Sequence, residues 1–148
     1  MRYVYPVKVV RDEGRAYVAS CRDIPEALTE GNSIPEALGN MSDALGAALA
    51  GYALVGRSLP SPSHIRADEY AVPVAPLVAA KLALRGAMTE QGISNMALAR
   101  RLGLSEGAVR RLVNPDHDSR LDGIVAALAV LGHGLVVEDM KQNQVANG

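Results

Sequence analysis

Residues 95–114, NMALARRLGLSEGAVRRLVN, read as two short helices joined by a tight turn, with Ala99 four residues before Gly103 and Val109 six residues after it. The spacing has mechanical reasons. The first helix packs closely on the second only if a small residue faces it, which Ala99 supplies, and the turn favours a residue tolerant of positive φ, which Gly103 supplies. Val109 then plugs the second helix into the core, and Ser105 is a good N-cap for it, leaving Glu106, Gly107, Arg110 and Arg111 to face outward. This is the helix-turn-helix arrangement, whose second helix lies in the DNA major groove. The same geometry serves as an ordinary helical hairpin in proteins that never touch DNA. Arg100, Arg101, Arg110 and Arg111, set against the single acid Glu106, favour the DNA reading.

At 148 residues the chain has room for one domain or two small ones. Its apolar content of 49% suffices for a core, which must be built from Ala, Leu, Val and Ile because Phe and Trp are absent. With only five Tyr, aromatic stacking on single-stranded bases is a poor fit. The net charge of -1 hides little asymmetry: residues 1–70 carry seven Lys or Arg against nine Asp or Glu, and residues 71–148 carry eight against seven. A general polyanion binder is thereby excluded, and any DNA contact must come from local clustering. The single Cys21 excludes an internal disulfide framework and fits a reduced, cytoplasmic setting. Neither an export signal nor a long uninterrupted apolar run is visible, so no membrane role is expected.

Residues 3–10 alternate, with Tyr3, Tyr5, Val7 and Val9 on one side, and Asp12-Glu13-Gly14 turns the chain into a second run over 16–21, which predicts a β-hairpin. Arg22-Asp23-Ile24-Pro25 is a loop, and residues 27–30 form a third short extended run. Ser33 and Glu36 have capping-box spacing with Pro35 in the first turn, so a helix starts there. Ile34, Ala37, Leu38, Met41, Leu45, Ala48, Leu49 and Tyr52 continue it at helical spacing to about residue 55, as one face covering the small sheet. The Pro- and Ser-rich residues 56–63, GRSLPSPS, mark a loop leaving this first unit, and residues 56–68 are expected to act as a linker. Residues 69–74 are a candidate fourth strand, limited to an edge by Pro73 and Pro76.

A second unit begins near residue 74, with helices expected over 77–91, from Ser94 or Asn95, over 106–113 and over 121–131. Residues 135–138 are apolar and β-branched and form a candidate terminal strand that a second copy of the chain could pair; residues 141–148 read as a disordered tail. The expected fold class is therefore α+β. An N-terminal domain over 1–73, a small antiparallel sheet with one long helix, is followed by an all-α helix-turn-helix domain with a short terminal strand over 74–140.

A search for catalysis comes up short. His64, His117 and His133 sit in linker or turn contexts without ligand spacing, and no Cys pair exists for zinc. Asp12, Asp23, Asp68 and Glu69 lie near β-like segments, as a metal-dependent nuclease would place its acids, yet each has a simpler role as turn former or strand end. No metal, no cofactor and no enzyme activity are expected.

Residues 23–38, DIPEALTEGNSIPEAL, carry the order of a D-[LI]-P loop, a short strand, then T-x-G-[DN]-[ST]-x-x-E-A at a helix start. Preceded by a hairpin, this order resembles the HicB family of antitoxins from bacterial and archaeal toxin-antitoxin pairs. Residues 74–81 (VAPLVAAK), 98–112 (LARRLGLSEGAVRRL) and 115–132 (PDHDSRLDGIVAALAVLG) are similar to the helix-turn-helix subgroup of that family, so the resemblance spans about residues 5–137. It implies a partner called HicA, a small basic messenger-RNA ribonuclease with a double-stranded-RNA-binding-like fold, covered by a sheet domain that looks like a trimmed ribonuclease H without its catalytic acids. It also implies repression of the pair's own operon. Two departures stand out: Asn114 where the subgroup often has Asp, and His133-Gly134 where Lys-Arg is more usual, which implies weaker affinity for DNA.

A toxin that binds RNA presents a basic surface, so its inhibitor should offer carboxylates and an exposed strand edge. The candidates are Asp12, Glu13, Asp23, Glu26 and Glu30, with Tyr5 and Leu28 as apolar contacts. On double-stranded operator DNA, Ser105, Glu106, Gly107 and Arg110 are placed to meet bases, Arg111 base or phosphate, and Asn95 and Arg101 phosphate. Glu106 would select against guanine and accept from cytosine. A homodimer is expected, with a tetramer possible. Two other readings stay open from the residues: a stand-alone regulator whose first domain senses a small ligand, and an RNA-processing enzyme using Asp12 or Asp23.

Overall fold

A computed structural model describes residues 1–141, and the chain separates into two compact units, Met1–Ala75 together with residues 139–141, and Pro76–Glu138. In the first, strands β1 (Val4–Arg11), β2 (Tyr17–Ser20), β3 (Leu28–Gly31) and β4 (Tyr70–Pro73) form one antiparallel sheet in the order β3-β2-β1-β4. β1 is shared along its length, its first half pairing β4 from Val4↔Pro73 to Val7↔Tyr70 and its second half pairing β2 from Lys8↔Ser20 to Arg11↔Tyr17. β4 lies at the sheet edge, where Pro73 removes no ladder donor that a neighbouring strand needs. Strand alternation sends Tyr5, Val7, Ala19 and Val72 to one face, where all four are fully buried.

Helix α1 (Ile34–Leu54) covers that face with Ala37, Leu38, Met41, Leu45, Leu49 and Tyr52. Its start follows from the capping residues: Ser33 Oγ accepts from the Glu36 N–H at 3.2 Å, and Pro35 occupies the first turn. Gly31, ending β3, comes so close to the first turn of α1 that a β-carbon there would lie 2.5 Å from the Ala37 nitrogen. The T-x-G element of the sequence is thus a steric requirement, met where strand and helix backbones nearly touch.

Residues 56–68 do not leave the first unit as expected of a linker. They run back to β4 and are tied down along the way. The Tyr5 hydroxyl donates to the Pro60 carbonyl at 2.6 Å, Asp23 accepts from both the N–H and the hydroxyl of Ser63, and Arg22 donates to the His64 carbonyl. Arg22 also forms a two-pronged pair with Glu69, through Nε at 2.9 Å and Nη2 at 3.1 Å, and Glu69 further accepts from the Arg66 N–H. A loop rich in Pro and Ser has few apolar groups with which to hold itself, so polar side chains from the Arg22-Asp23 loop anchor it instead.

Glu69 is 8% exposed, and the Arg22 guanidinium holds its carboxyl below the usual carboxylate range. A depressed folded pKa stabilises the fold above the ordinary Glu pKa of about 4.3 and the stabilisation is lost as pH falls through the folded value. Glu69→Gln is therefore expected to melt a few degrees below the parent chain at neutral pH. The gap should close on acidification below about pH 4, as checked by thermal melts along a pH series.

The second unit comprises α2 (Pro76–Gln91), α3 (Asn95–Leu102), α4 (Glu106–Val113) and α5 (Leu121–Val130). Its core joins Ala80, Leu84, Ala87 and Met88 of α2, Leu98 and Ala99 of α3, Val109 and Val113 of α4, and Ile124, Ala127 and Leu128 of α5. The expected terminal strand over residues 135–138 is not formed. Leu135 is half-buried against the core while Val136 and Val137 are 87% and 85% exposed. An extended segment becomes a strand only when a neighbouring strand pairs with it, and among the described residues the one sheet, β3-β2-β1-β4, does not include residues 135–138. The expected tail lies, beyond Lys141, outside the described residues.

Candidate functional site

The turn between α3 and α4 has the geometry that its sequence requires. Gly103 closes α3 in the left-handed conformation (φ 67°, ψ 31°), and its N–H and that of Leu104 satisfy the last carbonyls of α3. Ala99 is 4% exposed and Val109 is fully buried, so the small residue and the plug meet in one core. Ser94 and Ser105 cap the two helices, accepting from the Ala97 and Ala108 N–H groups, each at 3.1 Å.

With Val109 and Val113 committed inward, Ser105, Glu106, Arg110 and Arg111 are exposed, and Gly107 is half-buried. Arg110 reaches back to Glu106 at 3.3 Å, one helical turn away. Both side chains are largely exposed, so this pair holds Arg110 weakly, at about 0.3–0.5 kcal/mol, and yields readily to a stronger acceptor. Gly107 leaves room above the helix that the Arg111 side chain approaches, a β-carbon there lying 3.7 Å from its Nη1. Arg101 is exposed at the end of α3 and Asn95 half-buried at its start. These seven residues share one four-helix unit, and the N-terminal end of α4 presents main-chain N–H groups and the positive end of the helix dipole.

The expected protein-binding residues in the first unit separate into two groups. Tyr5 is corrected to a core residue. It is fully buried, its hydroxyl is bonded to Pro60, and burial pushes its pKa up to about 12. Asp23 is engaged with Ser63, and Glu26 accepts from the Tyr52 hydroxyl and pairs with Arg57 at 3.0 Å. The Tyr52 bond holds the Glu26 carboxyl below its ordinary range, and the Arg57 guanidinium stacks 3.8 Å from the Tyr52 ring centroid.

The second group faces out. Asp12 and Glu13 are exposed in the hairpin turn, where Asp12 Oδ1 also accepts from the Ala16 N–H. Leu28 is 63% exposed and Glu30 exposed on β3, the other edge strand. The register sets Leu28 opposite Ser20 and Ser20 opposite Lys8, and Glu30 opposite Val18 and Val18 opposite Val10. Lys8, Val10, Val18, Ser20, Leu28 and Glu30 thus share the sheet face opposite α1. Val10, 53% exposed, and Val18 escape a reading that takes strands one at a time, because only the register across three strands brings them beside Leu28. The β3 edge itself is partly closed: the Glu30 carbonyl accepts from Asn40 Nδ2 of α1 at 2.9 Å. The open face carries Val10, Val18 and Leu28 together with Glu30 and Lys8.

Among the described residues no three His, Cys, Asp or Glu side chains are grouped to hold a metal, and no helix is long and apolar enough to cross a membrane.

Residues 4–83 match the family described as HicB_like antitoxin of bacterial toxin-antitoxin system. Antitoxin HicB of Escherichia coli (strain K12) is 34% identical over 131 residues, covering 88% of this chain and 95% of that protein. Antitoxin HicB 2 of Photorhabdus laumondii is 39% identical over 131 residues, covering 88% and 92%. Antitoxin HicB of Pseudomonas fluorescens (strain Pf0-1) is 34% identical over 136 residues, covering 91% and 92%. The likeness extends through both units, and the chain belongs to the HicB-like antitoxin family of bacterial toxin-antitoxin systems.

Proposed function

We propose that the first unit binds and neutralises a HicA-type messenger-RNA ribonuclease, and that the second unit represses the operon encoding the pair by binding double-stranded DNA in the cytoplasm. The observation that carries this reading is the separation of recognition chemistry between the units. One carries a sheet face with Val10, Val18 and Leu28 beside Glu30 and Lys8, with Asp12 and Glu13 exposed in the adjoining hairpin turn; the other exposes Arg110 and Arg111 on an N-capped helix. An apolar centre with an acidic margin suits a basic RNA-binding partner, because the carboxylates steer it and the apolar strip supplies burial. No catalytic step is assigned to the chain itself. A small-ligand sensor is less favoured, since a concavity of about 380 Å³ in the first unit, lined by residues such as Val4, Pro62 and Ile65, is an open surface feature rather than an enclosed apolar site.

The DNA-binding form is a dimer. α5 is apolar on both sides: Ile124, Ala127 and Leu128 are buried, while Leu121, Val125 and Val130 on the other side are 39–43% exposed. A helix apolar all round is normally covered, and a second copy covering α5 also brings two segments over residues 135–138 within reach of each other as strand partners. Sedimentation should therefore give twice the mass of the chain.

Co-expression tests the antitoxin reading. A strain producing a cognate HicA-type toxin should stop growing, and the full chain should restore growth and co-purify with the toxin. Persistent arrest together with no complex would overturn it.

A further inference from the structure

Lys81 lies on α2, outside the residues assigned to either surface, and it is fully buried. Its ammonium has four acceptors: the carbonyls of Arg111 at 3.0 Å, Asn114 at 2.9 Å and His117, and the hydroxyl of Ser119 at 2.8 Å. Arg85, one turn further along α2, donates through Nη1 to the Val113 carbonyl at 2.9 Å. Arg111 and Val113 are in the last turn of α4, and Asn114 is its C-cap. These carbonyls have no helical N–H to accept from, and they carry the negative end of the helix dipole. A buried ammonium is costly unless such groups surround it, so charge and helix end satisfy each other.

α4 depends on this arrangement more than a longer helix would. It has eight residues, only Val109 and Val113 are buried, and helices so short are not stable alone. Ser105 fixes its first turn and the two cations of α2 fix its last. We propose that Lys81, assisted by Arg85, is a positioning residue for sequence reading by α4: the clamp sets the angle at which Glu106, Arg110 and Arg111 meet base edges. The proposal rests on the reading of α4 as the DNA-contacting helix. It adds that specificity, beyond mere affinity, is set from a residue that touches no DNA.

The test uses the full chain, a duplex spanning the promoter upstream of its own gene, and an unrelated duplex of equal length. If the parent chain binds both alike, the reading of α4 fails. If it prefers the promoter, the clamp is tested by Lys81→Met, which keeps the stem volume and removes the charge. Promoter affinity is expected to fall about tenfold or more, because bidentate base contacts need fixed geometry. Affinity for the unrelated duplex should change less than about threefold, because the arginines that neutralise phosphates remain. Amide hydrogen exchange at residues 113 and 114 should quicken. Should Lys81→Met fail to fold, Arg85→Ala removes one arm of the clamp and should lower the promoter preference in the same direction. An unchanged preference in either folded variant, or equal losses on both duplexes, overturns the proposal.

Discussion

Arg110→Ala combined with Arg111→Ala is expected to lower affinity for promoter DNA by about a hundredfold or more while leaving toxin binding intact. Each arginine that meets a guanine edge contributes about 1–3 kcal/mol of discrimination, and about 1.4 kcal/mol is a factor of ten in affinity. The proposed dimer would present the pair twice, which compounds the loss. Both side chains are exposed on α4, and the Lys81 clamp grips the main-chain carbonyl of residue 111 rather than its side chain. The substitutions should therefore cost the fold no more than about 0.5 kcal/mol. A gel shift over a salt series checks both points: the slope of log affinity against log salt should become shallower by about one for each phosphate that is no longer neutralised. Undiminished binding would remove α4 from the DNA interface.

Gly31→Ala is expected to be the most damaging single substitution in the first unit. The added carbon would lie 2.5 Å from the Ala37 nitrogen, and 3.0 Å from both the Ala37 Cα and the Glu36 carbonyl carbon, all of them helix backbone that no rotamer change can move aside. Overpacking of this kind costs about 3 kcal/mol. For a unit of this size that corresponds to roughly 12–24 °C in melting temperature. Gly39→Ala is the matched control: nothing lies within 4 Å of its added carbon, and alanine in a helix interior should stabilise by about 1 kcal/mol. Calorimetry on the two variants should show shifts of opposite sign. A toxin that binds only the folded unit should partly offset the Gly31→Ala loss in proportion to its concentration.

The two helices around Gly103 were legible because everything that shapes them is local. Ala99, Gly103, Ser105 and Val109 act within ten residues of one another, and the structure places each in its expected role. The start of α1 was legible for the same reason, through Ser33 and Pro35. Where reading failed, the decisive partner was distant along the chain. Asp23 and Glu26 read as candidate contacts, without their intramolecular partners, because Ser63 is 40 residues on and Arg57 is 31 residues on. Residues 56–68 looked like a linker because nothing local reveals that Arg22 will pair with Glu69 across 47 residues. Lys81 receives no role from the sequence, since its acceptors lie 30 or more residues away. Tyr5 is a different case. The alternation of β1 already placed it with Val7 on the core face, and that pattern outweighed its appeal as an aromatic contact. The segment over residues 135–138 has strand composition yet joins no sheet among the described residues, because a strand also needs a pairing neighbour, which composition does not carry.

The proposed inhibition of a HicA-type ribonuclease by the open sheet face is tested most directly by titrating RNA cleavage by the cognate toxin with this chain and with Leu28→Arg combined with Glu30→Arg. Both positions are exposed on the edge strand β3, so the double variant keeps its fold. The parent chain should bring cleavage to baseline near one chain per toxin. The double variant, which replaces an apolar contact and an acid with charges like those of the toxin, should need about a hundredfold more. Inhibition by the double variant at the same ratio as the parent would contradict the assignment of that face.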